Sequence, residues 1–256
     1  MIVPIRNLTI LLAVMVLSVG FAEHTGKTLR MAITQDEGTL TPYTYQTGYP
    51  GYELMTLIYD QLFLMDENLV PQPWLVSDLE ISADGLSYKI SLRPGITWHD
   101  GEPLTADDVA FSINYYQNNL LGRFTRSANK VTGVEVLDDL NVILSLGAPD
   151  ATFLQTGLAD MPMLPEHIWS SVTEPKTMAE AIGSGAYRLS EYRSDQFYRL
   201  EENPDYWGPS PAFDAIIAPI IRDQTATFQA LQTGDVDVAV RTVPPELVNI
   251  FSGRSD

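Results

Sequence analysis

The chain has 256 residues, of which 45% are hydrophobic, and it carries no cysteine and a formal net charge of −18. This length and hydrophobic content are sufficient for one large core or two smaller ones. The absence of cysteine excludes disulfides, a cysteine nucleophile and a thiolate metal site. The negative charge argues against a nucleic-acid or anionic-lipid partner, because both are themselves negatively charged.

Residues 1–22 have the pattern of a secretory signal peptide. Arg6 precedes an apolar run from Leu8 to Val19, and Gly20 and Ala22 place small residues where a cleavage site needs them. The run is short for a membrane span, and no stop-transfer pattern follows it. We therefore expect export, cleavage after Ala22 and, since no cysteine could carry a lipid there, a protein free in the periplasm. An uncleaved N-terminal anchor is the alternative.

The next segments predict a strand, a loop and a helix. Leu29, Met31 and Ile33 alternate with polar residues, which indicates a half-buried strand. A loop rich in Thr, Tyr and Gly follows, from Asp36 to Gly51. A helix is expected near Tyr52 to Leu64, with one apolar face made by Met55, Ile58, Tyr59 and Leu62.

The stretch from Trp98 to Ser112, WHDGEPLTADDVAFS, predicts a turn and a capped helix. A strand precedes it, with Leu86, Tyr88, Ile90 and Leu92 in alternation. Asp100-Gly101 forms a turn in which the glycine can take a positive φ. Thr105 is the expected N-cap, and Asp107 and Asp108 lie in the first helical turn, where carboxylates stabilise the positive end of the helix dipole. The helix stripe consists of Val109, Ile113, Tyr116 and Leu120.

The remaining patterns are those of a mixed α+β protein. Val134 and Val136 oppose Val142, Leu144 and Leu146 across residues 138–141, which predicts a hairpin. A short helix with His167 and Trp169 follows, and then strands at 187–189 and 197–200. Asp223 or Thr225 caps a helix that Gly234 ends, and a last strand is expected from the alternation of Val236, Val238 and Val240.

Several of these segments resemble one known family at matched spacing. Trp98–Ser112 is similar to the signature of the bacterial extracellular solute-binding proteins of family 5, the dipeptide, oligopeptide and nickel receptors of ABC importers. The resemblance extends from about Thr28 to about Pro245. It also includes Leu40-Thr-Pro42, Leu57-Ile-Tyr-Asp-Gln-Leu62, Gly183-Ser-Gly-Ala-Tyr187, Glu201-Glu-Asn-Pro-Asp-Tyr-Trp-Gly208 and Ala230-Leu-Gln-Thr-Gly-Asp-Val-Asp237.

The resemblance implies a periplasmic binding protein-like fold with two lobes, of which this chain holds most of the first. Residues 23–60 and 183–256 would form the main subdomain of that lobe, and residues 61–182 an inserted subdomain. The second lobe is expected to be absent from this chain, which would make it an N-terminal fragment.

The resemblance further implies a receptor without enzymatic activity or cofactor. It would capture a small solute between two lobes and deliver it to the permease subunits of an ABC transporter in the inner membrane, and the full-length protein would be a monomer. Peptides are the expected ligands. An oligosaccharide or a nickel chelate is the alternative within the family, and a secreted hydrolase is a more remote one.

The loop between the first strand and the first helix is the expected ligand-contact segment. Tyrosine rings and hydroxyls suit either peptide side chains or sugars, and we expect about two of the tyrosines at 43, 45, 49 and 52 to face the cleft. The others would pack under the neighbouring subdomain. The candidate ligand-binding residues are Thr39, Tyr43, Tyr45, Thr47 and Tyr49 from the loop, and Tyr115, Asn119 and Phe124 near the end of the capped helix.

The sequence gives weaker support for a catalytic carboxylate pair or a metal site. Asp107 and Asp108 are adjacent in a first helical turn, so their side chains diverge. This placement suits an interaction with the helix dipole better than it suits the two opposed carboxylates of a glycosidase. The three histidines, His24, His99 and His167, lack the spacing of a metal site. Trp74, Trp98 and Trp207 are expected to be packing residues, and Arg222 is expected to pair with Asp223 or a neighbouring acid.

Overall fold

The computed structural model describes residues 27–45, 50–120, 122–245 and 247–248. Its strands are β1 (Thr28–Ala32), β2 (Phe63–Met65), β3 (Pro71–Pro73), β4 (Val76–Ile81), β5 (Ser87–Leu92), β6 (Val131–Asp138), β7 (Asn141–Leu146), β8 (Tyr187–Arg193), β9 (Phe197–Glu202), β10 (Ala215–Pro219) and β11 (Val238–Ala239). Its α-helices are α1 (Gly51–Thr56), α2 (Ala106–Asn118), α3 (Gly122–Ala128), α4 (Glu166–Trp169) and α5 (Gln224–Thr233). A π-helical turn spans Leu154–Leu158 and a 3-10 turn spans Pro175–Thr177.

The first sheet joins the beginning of the described chain to its end. Its strand order is β11-β1-β10-β9-β8, with β1 parallel to both of its neighbours. The β1–β11 pair is reinforced because the Arg30 guanidinium donates to both carboxylate oxygens of Asp237, at 3.2 and 3.1 Å. Asp223 caps α5 and Gly234 ends it with a φ of +78°, as predicted, whereas the last predicted strand is reduced to the two residues of β11.

The second sheet is antiparallel, in the order β4-β5-β7-β6. Its inner face carries the predicted alternating residues, with Ile90 opposite Val142 and Tyr88 opposite Leu144. All four are buried, and α2 packs against β6 and β7. The predicted strand at 86–92 and the predicted hairpin are therefore confirmed. One continuous cluster of buried apolar side chains joins this sheet to the first.

The helix α2 starts as predicted and ends earlier than predicted. The Asp108 carboxylate accepts from the main-chain N–H of Thr105 at 2.9 Å, which completes a capping box. Val109, Ile113 and Tyr116 are fully buried. Leu120 is wrong as a member of the stripe: the helix ends at Asn118, and Leu120 is 81% exposed.

The helix predicted over 52–64 is wrong in length, since α1 ends at Thr56. The chain leaves the helix because the carbonyls of Leu57 and Ile58 are needed elsewhere. They accept from the N–H groups of Tyr187 and Gly185, at 3.0 and 2.8 Å. The predicted apolar residues of this segment are nevertheless all buried.

The segment 183–185 crosses this turn at very close range. A Cβ on Gly185 would lie 2.5 Å from the Leu57 carbonyl oxygen, and one on Gly183 would overlap the Ile58 carbonyl oxygen. The backbone itself therefore fills the space that a side chain would need.

His99 fastens the same crossing from the other side. Its Nε2–H donates to the Gly185 carbonyl at 3.0 Å, and its Nδ1 accepts from the Gly183 N–H at 3.3 Å. Burial lowers the pKa of His99 to about 4, so the neutral ring that this geometry needs is the favoured form.

Among the helices that the structure describes, none combines the length and apolar composition that crossing a bilayer requires.

We expect Gly183→Ala to lower the free energy of unfolding by about 3 kcal/mol or more, because the new methyl group displaces the Ile58 main chain and its hydrogen bond to Gly185. Gly133→Ala is the matched control, because a Cβ there meets nothing closer than 3.7 Å. Urea unfolding of both variants measures the difference. Equal stabilities of the two variants would contradict the close crossing.

We expect acid to weaken the fold through His99. The folded-state pKa lies below the ordinary value of 6.5, so this contribution is complete above pH 6.5 and is lost as the pH falls towards 4. The loss amounts to about 3 kcal/mol for a shift of this size. Urea midpoints between pH 7 and pH 4.5 should fall less steeply in His99→Gln than in the wild type. Equal slopes in the two proteins would contradict this role of His99.

Candidate functional site

The loop of residues 38–45 is held at its start by one carboxylate. Asp36 accepts from the hydroxyls of Tyr192 and Tyr198, at 2.8 and 2.7 Å, and from the Asp195 N–H at 2.6 Å. It also accepts from the Gly38 N–H at 2.9 Å. Burial alone would raise the pKa of Asp36, but these hydrogen bonds outweigh it and lower the pKa to about 2. The β8–β9 hairpin thereby fixes where the loop begins.

Threonine hydroxyls organise the loop further along. The hydroxyls of Thr39 and Thr41 lie 2.9 and 3.0 Å from that of Thr44. The Thr39 hydroxyl also donates to the main-chain carbonyl of Met178 at 2.8 Å, which ties the loop to a distant segment. We call that segment, residues 172–180, the strap.

Two loop tyrosines anchor the loop to the helices instead of standing free. The Tyr43 ring lies 5.7 Å from the rings of Tyr115 and Tyr116 and 5.6 Å from that of Trp169. Its hydroxyl donates to the Asn119 carbonyl at 2.9 Å. Burial raises the pKa of Tyr43, so it stays neutral at any physiological pH.

Tyr45 belongs to the same aromatic cluster through Phe124, whose ring lies 5.2 Å from that of Tyr116. The Tyr45 ring lies 6.1 Å from that of Tyr52 and 6.4 Å from that of Phe124. Burial raises the pKa of Tyr45 to about 12. The Arg123 guanidinium stacks 3.9 Å over the Tyr52 ring and donates to both oxygens of Asp160, which covers one end of the cluster.

A groove of about 530 Å³ runs between the loop and the strap. We call it the tyrosine groove. It is lined by Gly38, Thr39, Tyr43, Thr44, Tyr45 and strap residues 176–179. A second groove of about 290 Å³ lies on the other side of Tyr43, between residues 118–120 and strap residues 173–176.

The structure brings together most of the predicted site residues that it describes. Thr39, Tyr43 and Tyr45 line the tyrosine groove, and Asn119 lines the second groove. Tyr115 and Phe124 lie in the aromatic cluster, where Tyr115 is 8% exposed and Phe124 has no exposed surface. Thr47 and Tyr49 lie outside the described residues.

Sequence reasoning missed the strap. The residues of its central part are mostly exposed and follow no period of 2 or 3.6, so no pattern marked them. The strap joins the site through Thr39, which is 139 positions away from Met178 in the chain. The one local signal was Pro175, which starts the 3-10 turn.

The acids that suggested other chemistry have structural roles. Burial raises the pKa of Asp108, and its carboxylate accepts from the N–H groups of Thr105 and Glu166 and from Trp98 Nε1. Asp100 pairs with His167 at 2.8 Å. Nowhere in the described part of the chain do three or more His, Asp or Glu side chains come together as a metal site would need.

The tryptophans and Arg222 fall as predicted. Trp98 is fully buried, and Trp74 and Trp207 are half-buried against the core, with their rings 5.0 Å apart. Arg222 pairs with a neighbouring acid, Asp195.

Comparisons with known proteins agree with one another. The sequence profile described as "Bacterial extracellular solute-binding proteins, family 5 Middle" matches residues 70–254. A protein of Brucella ovis, named as an ABC transporter peptide-binding protein, is 32% identical over 215 residues, which are 80% of this chain and 40% of that protein.

Two solved structures show the same fold. The ABC transporter substrate-binding protein CtaP of Listeria monocytogenes is 30% identical with a TM-score of 0.78, over 88% of this chain and 46% of that one. The oligopeptide-binding protein AppA of Bacillus subtilis, solved with a nonapeptide, is 25% identical with a TM-score of 0.75, over 89% and 46%. The chain therefore has the mixed α/β periplasmic binding protein fold, and it spans less than half of the length of these relatives.

We expect Asp36→Asn to loosen the 38–45 loop, because the new amide NH₂ would oppose donors that now point at a carboxylate. The free energy of unfolding should fall by about 1–3 kcal/mol above pH 4. The wild type should itself lose this stabilisation as the pH falls from about 4 towards 2, where the Asp36 carboxylate becomes protonated. Hydrogen exchange of peptides covering residues 36–45 should become faster. Asp84→Asn, in an exposed turn, is the control, and unchanged exchange in the loop of Asp36→Asn would refute the anchoring role.

Proposed function

Because the chain belongs to family 5 of the bacterial extracellular solute-binding proteins, we propose that it captures a small solute, namely a short peptide, as the receptor of an ABC importer. The observation that carries this proposal is the tyrosine groove. It is lined by Tyr43 and Tyr45, by threonine side chains and by the apolar side chains of Met178 and Ala179. Such a surface suits an extended peptide, whose main chain needs hydrogen bonds and whose side chains need room.

The groove forms one wall of the proposed site. The 215 matched residues span 40% of the Brucella ovis relative, and in the whole protein we place the ligand between this wall and a second lobe. A ligand that contacts both lobes would favour the closed state. It can shift the equilibrium between open and closed forms only as far as its affinity for the closed form exceeds its affinity for the open form. The closed receptor would then dock on the permease.

The division of the lobe into subdomains belongs to the same proposal. The first sheet uses strands only from 28–32 and from 187–239, and the second sheet uses strands only from 76–146. This separation supports a main subdomain of residues 23–60 and 183–256 and an inserted one of residues 61–182. In this division, the tyrosine groove lies where the 38–45 loop of the main subdomain meets the strap of the inserted subdomain.

The family assignment supports binding without turnover. Asp36, Asp60 and Asp108 are each held by several donors of the fold, which gives these three acids structural roles. AppA, which holds a nonapeptide, is a member of the same fold and supports peptide as the ligand class here. Residues 1–22 would direct export, which would place the receptor outside the inner membrane. We propose that it acts there as a monomer and that neither a nucleic acid nor a cofactor is among its partners.

Native mass spectrometry of the protein purified from periplasm without denaturation tests the function. We expect added masses that fragment as peptides and that disappear in Ala179→Trp, since an exposed indole at that position would fill the tyrosine groove. Glu135→Trp, on the outer face of the second sheet, should keep the ligands. An adduct that fragments as hexose units would move the assignment to sugar uptake, and equal loading of both variants would place the ligand elsewhere.

A further inference from the structure

The strap is a wall shared by several depressions of the surface. Its residues line the tyrosine groove, the second groove and a third groove of about 440 Å³ on its outer side. Two side chains from outside the strap hold it: the Tyr115 hydroxyl donates to the Val172 carbonyl at 2.9 Å, and the Thr39 hydroxyl donates to the Met178 carbonyl at 2.8 Å. Between these anchors, Lys176 and Thr177 form the lip of the tyrosine groove.

Lys176 stands on this lip as a free cation. In the described part of the chain, no carboxylate oxygen lies within 4.0 Å of its ammonium group, whereas Lys89 and Lys130 pair with Glu80 and Asp150 at 2.7 and 2.6 Å. Among the described residues that line the tyrosine groove, Lys176 is also the single charged one. The other lining groups are hydroxyls, phenols, main chain and one methionine.

The net negative charge of the whole molecule makes this cation relevant to the choice of ligand. A chain with 33 acidic and 15 basic residues carries a net negative charge, which opposes the approach of an anionic solute. At the tyrosine groove, the Lys176 ammonium group offers such a solute a positive charge. Lys176 also lines the second groove, where Glu174 adds a carboxylate to the lining.

We infer that Lys176 is a specificity-determining residue, which binds a carboxylate of the ligand in the tyrosine groove. The inference rests on the proposed function and adds to it a preference for anionic ligands. The carboxylate is either the C-terminus of a peptide or an acidic side chain, and both present the same two acceptor oxygens to an ammonium group.

Calorimetry with matched tetrapeptides separates the two sources. One pair is Ala-Phe-Ala-Ala and its C-terminal amide, and the other is Ala-Glu-Ala-Ala amide and Ala-Gln-Ala-Ala amide. We expect the wild-type protein, purified from its natural gene, to bind the carboxylate member of at least one pair about three- to fivefold more tightly, the range of a partly exposed ion pair. Salt at 0.5 M should reduce that preference.

The variants then assign the preference to Lys176. Lys176→Gln should bind both members of the pair equally, Lys176→Arg should restore the preference, and Lys89→Gln should retain it as the control on the outer face of the second sheet. A wild-type preference that persists in Lys176→Gln would overturn this inference and leave the proposed function intact. Failure of the wild type to bind any of the four peptides or to carry peptides from the periplasm would overturn both.

Discussion

The carboxylate of Asp60 is the interaction on which the rest of the structure depends. It is buried, and it accepts from Trp74 Nε1 at 2.9 Å, from the Ser184 hydroxyl at 3.0 Å and from Trp207 Nε1 at 3.2 Å. Burial raises the pKa of Asp60, and these three donors act against that shift. Four segments that are distant in the chain thereby meet at one point, beside the crossing of Gly183 and Gly185. Without this acceptor, the buried Ser184 hydroxyl and the two half-buried indole N–H groups would lose their partner.

Carboxylates play the part in this protein that disulfides play in many exported domains. Asp36 joins the 38–45 loop to the β8–β9 hairpin, and Asp108 joins the turn at Trp98 to the starts of α2 and α4. Asp237 joins β11 to β1. Each of these aspartates connects elements through several donors at once, so the acidic composition is partly a framework of acceptors. The remaining acids on the surface supply the negative field in which the Lys176 ammonium is the local exception.

Local chemistry made much of the fold predictable. The alternation of Tyr88, Ile90 and Leu92, the cap at Thr105 and the stop at Gly234 are each decided by neighbours in sequence, and each was predicted from the sequence. The early end of α1 was not predictable, since it is decided by hydrogen bonds from Gly185 and Tyr187. The candidate site divides in the same way. The composition of the loop marked Tyr43 and Tyr45, but their inward packing and the presence of the strap depend on contacts with residues far along the chain.

The position of β1 in its sheet affects how the molecule is made. β1 lies between β10 and β11, so both of its partners are separated from it by about 185 residues or more of sequence. During synthesis the leading strand therefore has nothing to pair with until almost all of the described chain has emerged, and such long-range parallel pairing is slow. The second sheet does not wait for it, because all of its strands come from residues 76–146. The first sheet is therefore the later of the two to close, and β1 is the strand whose pairing completes it.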